Sequence, residues 1–234
     1  MKRKQLTSRI DPKNAAEAIA RIDTDEIERY YRYLSSITPH STEDIFRRWL
    51  FAFASVHTTW RNNCRLYLAL KDLQWLGSRP LLLEAISSAK AGMQNGRTEF
   101  IHEFSDKYWV NPKQWLKRDY ESWIDYRDRI RDSTKGIGRA KSSFIVEMLY
   151  PIKADVICTD THVMQIYGKT PKQIGAGNVS DKAELAMEEH WVSTSRTRGI
   201  PPVLARWVFW DRKQGNSDPR YWSAVFEPDL DLQL

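Results

Sequence analysis

Lys135-Gly136-Ile137-Gly138-Arg139-Ala140-Lys141-Ser142-Ser143, with Asp160-Thr161-His162-Val163 arriving 22 residues after Gly138, carries the strongest signal in this chain. A helix ending near Ser133 leads into the first segment, and a second helix follows it at once. Two glycines around one apolar residue allow a tight turn through backbone angles closed to other residues. The helix that follows opens with unpaired N–H groups, which attract anions and hold a phosphate without reading sequence. Lys135, Arg139 and Lys141 surround that turn with positive charge, and Ile137 plugs it into the core. An ordinary helix–turn–helix corner is the plainer alternative. In the second segment, Asp160 or Thr161 caps a helix through Tyr167. Alternatively, the acid sits near the anion-gripping turn and stabilises positive charge on a bound sugar.

Outward from this stretch the pattern is helical. Ile27, Tyr30, Tyr31 and Leu34 recur at helical spacing, with Asp25 and Glu26 in the first turn. Ser41-Thr42-Glu43-Asp44 opens an apolar helix carrying Ile45, Phe46, Trp49, Leu50 and Phe53. Leu66–Leu76 is predicted helical, ending at Gly77, and 81–93 is a short helix stopping near Asn95-Gly96. Residues 112–132 form one or two helices with Trp115, Trp123, Ile124 and Ile130 inward. Ser142–Tyr150 resumes helix, Ser180-Asp181 caps another to about Trp191, and Pro201-Pro202 starts the last, through Trp210. Asp155–Cys158 reads as a short strand or a buried turn. The class is all-α.

The chain has 234 residues, enough for one large domain or two small interlocked ones. Its 28 aromatics, ten of them Trp, can build a core, a stacking surface, or both. No apolar run is long enough to span a membrane, and Met1-Lys2-Arg3-Lys4-Gln5 lacks the apolar stretch of a secretory signal. Cys64 and Cys158 make neither a disulfide framework nor a four-cysteine metal site, which fits a reducing, cytoplasmic compartment. His40, His102 and His190 are isolated, so no metal site is expected. The net charge of +6 is uneven. Residues 107–141 hold ten Lys/Arg against five acids, and 194–222 hold six against two. These are solvated helix faces or the footprint of a polyanion partner.

The hairpin and Asp160-Thr161-His162-Val163 together resemble the helix-hairpin-helix DNA glycosylase superfamily. Its members carry a Gly-Val/Ile-Gly hairpin and, further on, an aspartate often within Val-Asp-Thr-His. The likeness is firm over roughly residues 120–168. Ser55-Val56-His57-Thr58-Thr59 adds to it, since it follows an apolar helix as a Ser-x-Gln-Thr-like segment does in these enzymes. The resemblance implies an all-α, two-domain fold with an interdomain cleft. Residues 42–152 would form a six-helix domain carrying the hairpin, and 1–41 with 153–234 a second helical domain. It further implies that the target nucleotide is flipped out of double-stranded DNA. Lys135, Gly136, Ile137, Gly138, Arg139 and Ser142 would hold the backbone, and His57 would fill the gap in the stack. Trp60 and Trp210 would sandwich the base. Asp160 would stabilise an oxocarbenium-like sugar or activate water. His162 is a phosphate contact or part of a cap. No cofactor is implied, beyond room for a monovalent cation at the hairpin, and the protein is expected to be monomeric.

Two departures shape the expectation. Bifunctional members carry a Schiff-base lysine two residues after the second glycine, where this chain has Ala140. Lys141 lies one residue on, about 100° round the helix, and is either a phosphate contact or a nucleophile. A monofunctional glycosylase follows. Many relatives also end in a four-cysteine iron–sulfur loop, which two cysteines cannot supply. The aromatic tail, Trp207 to Gly215 and Arg220-Tyr221-Trp222, is core or a stacking surface. Three functions are thus in play: removal of a damaged, mismatched or modified base; a relative repurposed for thymine hypermodification; and a DNA-binding module without chemistry. The setting is intracellular in each case, nucleoid-associated or virus-encoded.

Overall fold

The computed structural model describes residues 10–215. The chain divides into two compact units. It opens one with α1 (Lys13–Ala20) and α2 (Thr24–Ser36). It then builds the other from α3 (Thr42–Ala54), α4 (Trp60–Leu70), α5 (Arg79–Ser88), α6 (Gln94–Val110), a 3-10 turn (Pro112–Trp115), α7 (Trp123–Asp132) and α8 (Arg139–Leu149). It returns to the first with α9 (Thr161–Ile166), α10 (Pro171–Gly175), α11 (Asp181–Thr197) and α12 (Pro202–Lys213). Among the described residues there is no strand, and no helix is long and apolar enough to cross a membrane.

The middle unit, residues 39–149, is organised around α3. Ser41 caps it by accepting the Asp44 N–H, and Phe46 and Trp49 to Ala54 are all buried. The last six residues of α3, Trp49–Ala54, are apolar all round, as a stretch inside a bundle must be, and α4, α6 and α8 pack against this helix. Phe46, Trp49, Phe104, Tyr108 and Trp115 interlock, with Trp49 and Phe104 stacked at 4.5 Å. Much of the tryptophan supply is therefore core: Trp49, Trp75, Trp115, Trp191 and Trp207 are buried.

Several boundaries differ from the sequence pattern. Helix α4 stops at Leu70 rather than Leu76, because the Trp75 indole turns back and donates to the Leu70 carbonyl, with Leu73 left-handed. Asn95-Gly96 lies inside the first turn of α6 instead of ending a helix. The break falls earlier, at Gly92 and Met93, both with positive φ. Ile124 and Tyr31, expected inward, are exposed, and Tyr126 takes the inward place on α7. Helix α1 has no counterpart in the sequence reading.

In the other unit, α2 packs on α12 and α11 on both α1 and α12. Asp23 and Glu26 form a reciprocal capping box on α2. The Tyr30 hydroxyl donates to buried Asp211 at 2.7 Å, and burial raises the tyrosine's pKa far above its ordinary value. Asp155–Cys158 is not a strand, and its Val156, Ile157 and Cys158 are buried. The Ile157 N–H is taken by the Glu188 carboxylate at 3.0 Å, so no ladder partner is needed.

His190 makes this unit sensitive to acid. Its Nδ1 meets the Tyr167 hydroxyl at 2.8 Å, and burial lowers its pKa. The unfolded chain takes up this proton near pH 6.5, before the folded one does. Stability is therefore complete above that value and is lost as pH falls below it. Melting temperatures measured from pH 7 to 5 should decline, and His190→Gln should flatten the decline.

Candidate nucleic-acid interface and carboxylate site

In the middle unit, α7 ends at Asp132 and α8 begins at Arg139, joined by the glycine turn. Gly136 has φ +80°, and a Cβ there would sit 2.8 Å from Phe100 Cγ. Gly138 has nothing within 4 Å of such a Cβ and no positive φ. The first glycine is thus demanded by the fold, whereas the second faces open space. The Gly138 carbonyl accepts the Ser142 N–H at 2.9 Å, closing the first turn of α8. Ile137 is buried, as a plug requires. Lys135 is exposed, and its ammonium rests on Glu103 at 2.8 Å. That pairing raises the Lys135 pKa, while Lys107 and Lys135 together lower that of Glu103. Arg139 is half-buried.

Ser142, expected among the DNA contacts, lies inside the first turn of α8. Its side chain is fully buried, and its hydroxyl donates to the Arg139 carbonyl at 2.8 Å. Ala140 stands two residues after Gly138, and the Lys141 ammonium lies over the Phe144 ring at 5.5 Å.

His57 stands in the same unit, in the loop between α3 and α4. It is exposed, with φ +48°. Ser55 caps the end of α3 and Thr59 the start of α4. Half-buried Trp60 opens α4, edge-on to Phe51 at 5.7 Å. Sequence reasoning missed Arg97, which is buried and donates to the Val56, Ala91 and Gly92 carbonyls. Nothing in its spacing marks it.

Asp160 belongs to the other unit and is the N-cap of α9. Its Oδ1 accepts the Val163 N–H at 2.9 Å, and its Oδ2 faces Arg206 Nη1 at 3.3 Å. The carboxylate side chain is 24% exposed and that of Arg206 2%. An ionised carboxylate has about four acceptor positions, so this one keeps capacity on its open side. Arg206 was also missed, although a lone arginine inside the apolar run Val203–Phe209 is a signal for a buried partner. His162 Nε2 meets the Gln214 amide at 3.2 Å. Arg206, Trp210 and Gln214 follow at four-residue steps, one stripe of α12. Half-buried Trp210 is therefore on the stripe that meets Asp160 and His162, while Trp207 is core. Arg220-Tyr221-Trp222 lies outside the described residues. Among the described residues, no three His, Cys, Asp or Glu side chains gather as metal ligands.

The all-helical architecture, with its glycine hairpin between two helices, is shared by solved structures of 8-oxoguanine DNA glycosylases. An 8-oxoguanine glycosylase/lyase of Methanocaldococcus jannaschii, in complex with a 15mer DNA containing 8-oxoguanine, matches 87% of this chain and 97% of its own, with TM-score 0.66 and 18% identity. A further structure of the 8-oxoguanine DNA glycosylase of that organism covers 87% and 94%, with TM-score 0.64 and 18% identity. The 8-oxoguanine DNA glycosylase of Thermotoga maritima covers 88% and 94%, with TM-score 0.60 and 19% identity. No family model and no curated protein matches the chain.

Proposed function

We propose that this protein is a monofunctional DNA N-glycosylase that flips a damaged, mismatched or modified base out of a duplex and hydrolyses its glycosidic bond. The observation that carries the reading is Asp160, a partly exposed carboxylate fixed at one oxygen by a helix N-terminus and at the other by Arg206. A carboxylate so held stays put while positive charge develops on the sugar. The bond from C1′ to the base breaks with its electron pair leaving on the base. Water gives its oxygen to C1′ and its proton to the open side of Asp160. The glycine hairpin holds the backbone phosphate, and His57 takes the space the nucleotide leaves. Ala140, in place of a Schiff-base lysine, supports hydrolysis without strand cleavage.

The test is incubation with duplexes carrying uracil, 8-oxoguanine, alkylated and hydroxymethylated bases, followed by mass spectrometry for free bases. A base released by the intact protein and not by Asp160→Asn supports the proposal. Strand breaks alongside it would bring Lys141 back as a nucleophile. Binding without release would favour a modification enzyme or a non-catalytic binder.

The hairpin should grip without reading sequence. Lys135→Ala and Arg139→Ala are expected to weaken binding alike on all duplexes. Each should lower the slope of log affinity against log salt by about one, as measured by anisotropy titrations across salt concentrations.

A further inference from the structure

We infer that Arg97 is a positioning residue, which locks two loops of the middle unit together and sets the place of His57 relative to the hairpin. The inference rests on the proposal that both elements face DNA. Arg97 is 3% exposed. Its Nη1 donates to the carbonyls of Ala91 at 2.9 Å and Gly92 at 2.8 Å, and its Nη2 to that of Val56 at 2.6 Å. One planar fork thus joins the loop before α6 to the loop that carries His57.

Both loops are strained. His57, Lys90 and Met93 have φ of +48°, +50° and +53° without being glycine. Such residues persist only where their surroundings over-determine them, and they gather at functional sites. A buried cation whose hydrogen bonds all go to carbonyl dipoles is a costly way to gain stability. It is an effective way to fix geometry, since a guanidinium offers several donors in a rigid plane.

The same helix also reaches the hairpin. Three residues beyond Arg97, Phe100 fills the space that a side chain at Gly136 would take. Three further on, Glu103 receives Lys135 at 2.8 Å. Each step of three turns back about 60° round α6, so the three residues wind across about 120° of its surface. From Arg97 to Glu103 the axis advances about 9 Å. The interval between the His57 loop and the glycine turn is therefore set by a rigid rod rather than by flexible connections.

The test needs no knowledge of the substrate. A duplex with a tetrahydrofuran abasic analogue flanked by 2-aminopurine reports filling of the gap by its fluorescence. The wild-type protein should change that signal, and His57→Ala should lose the change. Arg97→Lys, checked first by thermal melting, should lose it equally while hairpin-held affinity stays within a few-fold. Adding His57→Ala to Arg97→Lys should bring no further loss, the mark of residues acting as one unit. On a true substrate, kcat should fall by up to about a hundredfold with KM little changed.

A wild-type signal from folded Arg97→Lys overturns the inference. So does wild-type binding without any signal, which leaves the DNA-binding reading standing. Wild-type protein that binds no duplex overturns the glycosylase reading itself. Should Arg97→Lys not fold, hydrogen exchange on the wild type decides. Amides of 57–59 and 91–93 should share one opening rate if one side chain holds both loops, and separate rates overturn the inference.

Discussion

Asp160→Asn will cut base release by about 10²–10⁴-fold, the range expected when a positioned acid–base group is lost, while duplex affinity stays nearly intact. Asparagine is as good a helix cap as aspartate, so α9 keeps its start and the Val163 N–H keeps its partner. What goes is the charge. On the proposed mechanism the sugar loses its stabilising carboxylate, and Arg206 keeps a buried guanidinium facing a neutral amide. The second loss should lower stability by about 1–3 kcal/mol, the lower end for a broken buried pair because the carboxylate is partly open to water. Single-turnover rates and denaturant melts separate the two effects. Full turnover in a folded variant would remove Asp160 from the chemistry.

Gly136→Ala should be the most damaging single change in the hairpin. The new methyl group meets the Phe100 ring, and alanine is forced to a φ of +80°. Together these cost about 2–4 kcal/mol, visible as a lowered denaturation midpoint. Gly138→Ala should behave differently. No atom lies within 4 Å of the added carbon, so stability should hold. A phosphate approaching that bare backbone would meet the methyl group, and affinity should drop by roughly tenfold on every sequence alike. Equal destabilisation by both substitutions would count against assigning the turn two distinct jobs.

These two glycines also show how far the chain was legible as a string. Gly136-Ile137-Gly138 announced a turn between helices through backbone freedom, and the structure has it there. That Phe100 demands the first glycine was invisible, because the contact joins residues 36 positions apart. The start of α9 was readable, since a cap is local chemistry. Arg206 as the carboxylate's partner was not, because it arrives 46 residues later. The burial of Ser142 was not legible for a related reason: a serine beside a basic turn looks polar and available until the helix turns it inward. Local signals such as caps, breakers and apolar periodicity reach about one helical turn. Val56, which ties Arg97 to the other loop, and Arg206, which faces Asp160, lie 41 and 46 residues away, where a single sequence carries no mark.

The order in which the chain leaves the ribosome gives the two-part layout a further meaning. Residues 39–149 are contiguous, so that unit can collapse as soon as it is synthesised, hairpin included. The other unit is split: α1 and α2 are made first and must wait for α11 and α12. Closing so long a loop is slow, although its entropy grows only gently with length. The pair between Asp160 and Arg206 therefore forms late in biogenesis. A nascent chain completes the glycine hairpin before it completes the pair of Asp160 and Arg206.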